Sequence, residues 1–232
     1  MIDRETRILA ETGEVLSSTP LQLHVRNVTG RQSNPFGLSP SCESFVPGYG
    51  DANADFHVVG DHPGVHGGAD TGYPFTEFEA SKRLQRALVD GGLLAEAGAP
   101  PAVNGTFFSY LHMCVPEGVP SRADYADQEA MFDSELRAIT AHVLLPVGER
   151  ATRHVFAKMS ARPPEAVDMD TQHATEIPGS GWLIVPVENP AQWADDDEQA
   201  LVDRLQELRS RDYVRRADLG RFLPDDDPYM VR

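Results

Sequence analysis

The segment Gly60-Asp-His-Pro-Gly64 sets a carboxylate beside an imidazole in a loop bounded by glycines, directly after the apolar run Asp55-Phe-His-Val-Val-Gly60. An imidazole titrates near neutrality, so it can orient or deprotonate a water molecule. An apolar run that stops in such a loop reads as a buried strand whose carboxyl end opens onto a ligand. Parallel sheets present their strand tips as a crevice, and glycine and proline let backbone amides approach a bound group closely.

That loop needs a sheet to hold it. Residues 1–33 mix charged residues with Thr, Ser and Gly around a short alternation, Leu21-Gln-Leu-His-Val25, and read as a loosely attached arm. Turn residues in Pro47-Gly-Tyr-Gly-Asp51 lead into the first strand at 55–60, and a helical stripe follows over 78–90. A second, aromatic-rich strand at 103–111 is followed by a helix at 128–141, a third strand at 142–147 and a helix opened by Gly148. The fourth strand is Trp182-Leu-Ile-Val-Pro-Val187, and Asp195-Asp-Asp-Glu198 sits where the dipole of a last helix favours carboxylates. Four strands alternating with helices predict an α/β fold with a parallel sheet covered on both faces. The expected organisation is an arm at 1–33, one domain at 34–212 and a tail at 213–232.

The chain has 232 residues, 41% hydrophobic, enough for one sizeable core. Its formal charge is −16, and only Lys82 and Lys158 among its basic residues are lysines, which reads as a salt-adapted, halophile-like surface. This charge argues against tight nonspecific nucleic-acid binding, although eighteen arginines leave room for a local basic patch. Two cysteines, Cys42 and Cys114, are too few for a disulfide scaffold and form no CxxC metal pair, so reduced thiols in a cytoplasm are expected. With no signal-type apolar core and no long apolar run, neither export nor a membrane span is expected. His112 and His142 read as structural histidines, and Asn104-Gly-Thr as a chance tripeptide.

Four segments in order, Pro47-Gly-Tyr-Gly-Asp-Ala-Asn-Ala-Asp55, Gly60-Asp-His-Pro-Gly64, Gly72-Tyr-Pro-Phe-Thr76 and Val147-Gly-Glu-Arg-Ala151, resemble the uracil-DNA glycosylase superfamily, nearest its iron–sulfur bacterial and archaeal branch. The resemblance spans roughly residues 34–210. It implies a three-layer αβα fold with a four-stranded parallel sheet, a DNA partner, single- or double-stranded, and excision of uracil or a related damaged base. Such enzymes flip a base out of the stack, grip it on an aromatic ring, stabilise the departing anion and position water at the sugar.

Carried over residue by residue, the resemblance makes Phe75 the stacking aromatic and Gly60, Pro63 and Gly64 part of the base pocket. Asp61 and His62 stand where water is positioned. Tyr110 replaces the asparagine that reads uracil, and a phenol lacks the paired geometry of an amide. Asn189 replaces the histidine that steadies the leaving base, and removing such a donor costs about 10² to 10³ in rate. Trp193 falls on the loop that fills the gap of the flipped base, as a wedge or as an anchor for the last helix.

Cys42 and Cys114 coincide with cluster-region cysteines as candidate remnants, with no further cysteine to complete four ligands, so no iron–sulfur cluster and no metal is expected. Phe36, Met131 and Phe132 are expected to fill the vacated space. The expectation is thus a monomeric, metal-independent glycosylase. The alternative is a member that binds nucleic acid or a nucleobase without excision, and a third reading is a purely structural partner protein.

Overall fold

A computed structural model of the chain describes residues 24–25, 39–139 and 141–211. The strands are β1 His24–Val25, β2 Tyr49–Asp51, β3 Phe56–Gly60, β4 Leu94–Glu96, β5 Ala102–Val103, β6 Thr106–Tyr110, β7 Val143–Pro146, β8 Ile177–Pro178 and β9 Leu183–Ile184. The helices are α1 Pro63–His66, α2 Glu79–Asp90, α3 Arg122–Ile139, α4 Glu149–Met159, α5 Met169–Gln172 and α6 Asp197–Ser210.

The four expected strands form the centre of the sheet. β6, β3, β7 and β9 pair in parallel in that order, with Gly60 opposite Tyr110 and Val58 opposite Leu145. Antiparallel pairs at both edges, β1–β2 on β6 and β8 on β9, extend the sheet to seven strands among the described residues. Two expectations are corrected there. Tyr49–Asp51, within the segment read as turn residues, is a strand, and His24–Val25 of the arm pairs with it. The reason is pairing: β6 has an open edge, and an extended neighbour satisfies its amides and carbonyls. The rest of the arm, Phe36 and the tail from Asp212 lie outside the described residues.

The predicted fourth strand is regular only at Leu183–Ile184. It continues as a ladder, with Val185 N–H donating to the Leu144 carbonyl at 2.8 Å and Val187 N–H to Pro146 at 2.8 Å, around Pro186, which has no N–H to give.

Alternation along the strands divides the core in two. Val58, Phe108, Tyr110, Val143 and Leu145 face α2 and α6, whose Leu84, Leu88, Leu201 and Leu205 cover them. Val59, Leu144 and Ile184 face α3 and α4 through Phe132, Leu136, Val155 and Phe156. The result is the three-layer αβα arrangement, with every strand tip on the β3–β6–β7 side emptying toward the loops after Gly60, Tyr110 and Pro146. Among the described residues no helix is long and apolar enough to cross a membrane.

The thiols are not reduced in this structure: Cys42 and Cys114 form a disulfide with Cα atoms 6.0 Å apart, 72 residues apart in sequence. An isolated antiparallel β-bridge between Phe45 and Cys114 brings the two segments together. Reduction, or the Cys42→Ser/Cys114→Ser pair, should lower unfolding free energy by up to about 4 kcal/mol, the chain-entropy value for a loop of this length, as read by urea titration.

Buried ionisable groups shape the pH response. Burial lowers the pKa of His57 and of His66 from 6.5 to about 3, and raises that of Glu135, which accepts the Gly48 N–H at 3.2 Å, from 4.5 to about 8. Below pH 6.5 the unfolded chain binds protons on both histidines that the fold refuses until about 3, so stability is lost as pH falls. Glu135 works the other way. The fold keeps a proton that the unfolded chain releases above 4.5, so stability is lost as pH rises toward 8. His62 and His154, whose pKa values burial also lowers, add to the acid-side loss, so stability should fall as pH drops below 6.5 and, through Glu135, as pH rises toward 8. Glu135→Gln should abolish the alkaline decline in a series of thermal melts.

Candidate active site

The loop after β3 is shaped by what sits on Gly60. A Cβ there would come within 2.7 Å of both the Phe75 and Tyr110 rings, so only glycine lets the strand end under this aromatic pair. Pro63 then opens the single turn α1, its fixed φ suited to a first helical position, and His62 caps it by accepting the Gly64 N–H on Nδ1 at 3.1 Å. That bond decides the tautomer. Nε2 of neutral His62 carries the hydrogen and donates, so His62 cannot take a proton from water there, contrary to the deprotonating role expected of it. Burial lowers its pKa, opposed by the neighbouring Asp61, which keeps the neutral form dominant.

Asp61 is pinned by residues that the sequence reading did not single out. The Tyr125 hydroxyl of α3 donates to its Oδ1, and Nε of Arg150, in the first turn of α4, lies 3.4 Å from its Oδ2. The Arg150 guanidinium also stacks over the Tyr125 ring at 4.6 Å, so three segments converge on one carboxylate. Burial, then Asp61 itself, pushes the Tyr125 hydroxyl up, which holds it as a donor. Only Arg150 left a trace in the sequence, as part of Val147-Gly-Glu-Arg-Ala151. Tyr125 is one aromatic in an exposed-looking acidic turn, and nothing in its spacing marks it.

Across from Asp61, Gly148 begins α4 at φ 83, and no side chain caps that helix N-terminus. Asn189 stands beside it: a Cβ on Gly148 would lie 3.9 Å from that of Asn189. Asn189 Oδ1 accepts the Ala191 N–H at 3.1 Å, which leaves its Nδ2 without a partner among the described residues. Asp61, Val65, His66, Val147, Arg150 and Asn189 line one cleft of about 150 Å³, with Gly148, Glu149 and Gln192 completing it. Asp61 and Asn189 therefore share this cleft.

The other expected residues do not line that cleft: Gly60, His62, Pro63 and Gly64 form the turn beside it, and Phe75, Tyr110 and Trp193 are packed elsewhere. Phe75 is fully buried, packed on Phe108 and Tyr110 with ring centroids 5.6 and 5.2 Å away, so it presents no free face to a base. The Tyr110 hydroxyl accepts the Phe75 N–H at 2.8 Å and donates to the Gly67 carbonyl at 2.9 Å, which spends it on the loop backbone rather than on base reading. Burial pushes its pKa up, so it remains a phenol. Trp193 is an anchor, not a wedge: 7% exposed, it donates Nε1–H to the Glu188 carbonyl at 2.7 Å and lies under the Arg83 guanidinium, which pairs with Glu198 at 2.8 Å. Of the structural histidines, His112 is tied by Nδ1 to the Cys114 carbonyl at 3.1 Å, and His142 lies 3.7 Å from Asp55.

A four-iron cluster does not fit these residues. It needs thiolates, and both cysteines of the chain are consumed in the disulfide. Met131 and Phe132 are buried, 3% and 1% exposed, in the adjoining α3.

Trp193→Ala should cost about 3 kcal/mol of stability or more in a urea titration, the range for emptying a buried tryptophan site. A residue serving only as a DNA wedge would leave the midpoint unchanged.

The arrangement has recognisable relatives. The family model described as the uracil DNA glycosylase superfamily matches residues 47–209. A protein of Pyrobaculum aerophilum called a type-5 uracil-DNA glycosylase is 29% identical over 122 residues, covering 50% of this chain and 54% of that protein. The chain thus spans about half the length of the curated relative it matches. The family match takes in β2 through α6 and every residue lining the cleft, and on that ground the chain belongs to the uracil-DNA glycosylase superfamily.

Proposed function

We propose that this protein is a DNA base-excision glycosylase that hydrolyses the N-glycosidic bond of uracil or a related damaged base, at the cleft between Asp61 and Asn189. The observation that carries the reading is the placement of opposed chemistry across one small cleft. A carboxylate fixed by Tyr125 and Arg150 stands on one side. An uncapped helix N-terminus and a free amide stand on the other.

In the reaction the bond between C1′ and the base nitrogen breaks and a water oxygen bonds to C1′. The base leaves with the bonding electron pair, and the water's proton goes to solvent or to the departing base. Amide donors at Glu149 and Arg150 and Asn189 Nδ2 suit the leaving anion, because the α4 dipole places positive potential there. Asp61 suits the water, since its second lone pairs remain open beyond the two bonds that fix it. His62 contributes a donor through Nε2 rather than a base.

The acidic body implies that DNA is held by local arginines such as Arg150, half exposed at the cleft mouth, and not by a broad basic face. The type-5 glycosylase relative favours uracil as the first substrate to test.

A second reading, a member that binds DNA or a nucleobase without excising it, is favoured by the burial of Phe75 and Tyr110. One assay separates the two. Protein in molar KCl is incubated with single- and double-stranded oligonucleotides containing uracil, hypoxanthine or a mismatch, then heated in alkali to cut abasic sites. Strand scission at uracil is expected, falling by about 10²-fold or more in Asp61→Asn and by about 10²-fold in Asn189→Ala. Retention of the oligonucleotide in a gel shift with no scission establishes the second reading instead.

A further inference from the structure

The two cysteines of the chain meet in one bridge, and both of its ends lead to the residues that fix Asp61. Cys114 stands just past the tip of β6. Two residues before it, the His112 N–H donates to the Asp61 carbonyl at 3.0 Å, and the His112 ring donates from Nδ1 to the Cys114 carbonyl at 3.1 Å. The same imidazole packs on the Tyr125 ring, with centroids 5.6 Å apart. Tyr125 is the α3 residue whose hydroxyl donates to Asp61.

The other end reaches the same helix. Beside Cys42, Ser41 Oγ donates to the Asp127 carboxylate and accepts from Gln128 Nε2 at 3.2 Å, and both partners lie within a turn of Tyr125 on α3. The segment between is laid along 113–115 by the Val46 N–H to the Met113 carbonyl at 2.8 Å and the Val115 N–H to Ser44 at 3.0 Å. A closed circuit results. It runs from Cys114 through His112 to Asp61 and Tyr125, along α3 to Asp127, and back through Ser41 to Cys42.

The disulfide is the link in this circuit that thiol chemistry opens. Cys42 is half-buried whereas Cys114 is 6% exposed, so a solvent thiolate attacks the Cys42 sulfur and Cys114 is the leaving group. A dithiol reductant supplies two electrons and two protons in all. Its first sulfur bonds to Cys42, and the released Cys114 thiolate takes a proton. Its second sulfur then displaces Cys42, which takes the other proton, and the reductant leaves as a cyclic disulfide. The hydrogen bonds left at Ser41 are exposed to solvent and weak beside a covalent closure across 72 residues.

We propose that the Cys42–Cys114 bridge is a redox switch for the site: oxidised, it clamps 112–115 to the first turns of α3 so that Tyr125 holds Asp61 in the cleft, and reduced, it lets that contact loosen and hydrolysis slow. His112 and Ser41 are its positioning residues. This rests on the glycosylase reading and deepens it by naming a regulation, with dithiols as the class of reductant that acts.

The test compares the full-length oxidised protein with the same protein reduced by dithiothreitol, in the uracil oligonucleotide assay and by amide hydrogen exchange read on peptides. Reduction should slow excision by about tenfold, in kcat rather than KM, within the ordinary range for coupling between two sites. Reoxidation should restore the rate. In Tyr125→Phe the oxidised and reduced rates should converge, since the link to Asp61 is already cut. Exchange should quicken at 112–116 and 122–128 on reduction, while unchanged exchange in α2 shows that the protein stays folded.

Quickened exchange with undiminished excision makes the bridge a stability staple alone and overturns the switch. Exchange that quickens only at 42–46 overturns it as well. Quickened exchange at 122–128 in a protein that excises in neither state supports the clamp and removes the glycosylase reading. Should the reduced protein unfold, oxidised Ser41→Ala decides, because it cuts the α3 arm with the bridge intact: slower excision supports the switch, and excision equal to that of the unaltered protein overturns it.

Discussion

The Tyr110 hydroxyl is the bond on which the site depends. One oxygen at the tip of β6 accepts from the Phe75 amide and donates to the Gly67 carbonyl, both within 3 Å, and so ties two turns of the connecting loop to the sheet. Those turns hold conformations that ordinary residues avoid: Phe75 at φ 56, Gly67 at 80 and Gly68 at 101. A buried phenol with its donor and its acceptor both satisfied repays its desolvation and also fixes the strained backbone around it. Asp61, His62 and His66 inherit their positions from that lock, because they lie in the same connection between β3 and α2.

Electrostatics in the cleft are local against an overwhelmingly acidic protein. Asp61 is held by a neutral donor and a cation from two helices on the same face of the sheet, and Arg150 does double duty by stacking on Tyr125. The wall formed by the start of α4 carries Glu149 and Arg150 beside the helix amides and the Asn189 amide. Arg153, paired with the Glu149 carboxylate one turn on, offsets that charge at the helix start.

The core carries several groups that a purely apolar interior would not need. His57 bonds Ser109 through Nε2 at 2.7 Å and leaves Nδ1 unpaired, and Glu135 leaves Oε2 unpaired beneath Gly48. A Cβ on Gly48 would sit 2.6 Å from Glu135 Oε1, so this glycine and this acid fit together as a pair. The Cys42–Cys114 disulfide lies on the same flank and joins the segment before β2 to the one after β6. Glu135 thus ties the start of β2 to α3, alongside the apolar contacts of Phe132, Leu136 and Ile139 with the sheet.

The sequence alone determined the layered architecture, because strand and helix periods, the glycine-bounded loop and the acidic start of α6 are properties of neighbours along the chain. The order of its motifs likewise pointed to the family and to Asp61 and Asn189. It did not determine the edge strands, since Tyr49–Asp51 and His24–Val25 are extended only because β6 offers a free edge. Nor did it determine which aromatics face a ligand: Phe75, Tyr110 and Trp193 have the right types and places in the chain, but packing turns all three inward. Tyr125, Arg150 and His66 come to the cleft from α3, α4 and α1 through contacts between residues far apart in sequence or hidden by a single turn. Such convergence leaves no period in the chain, so only the folded arrangement of the helices over the strand tips decided it.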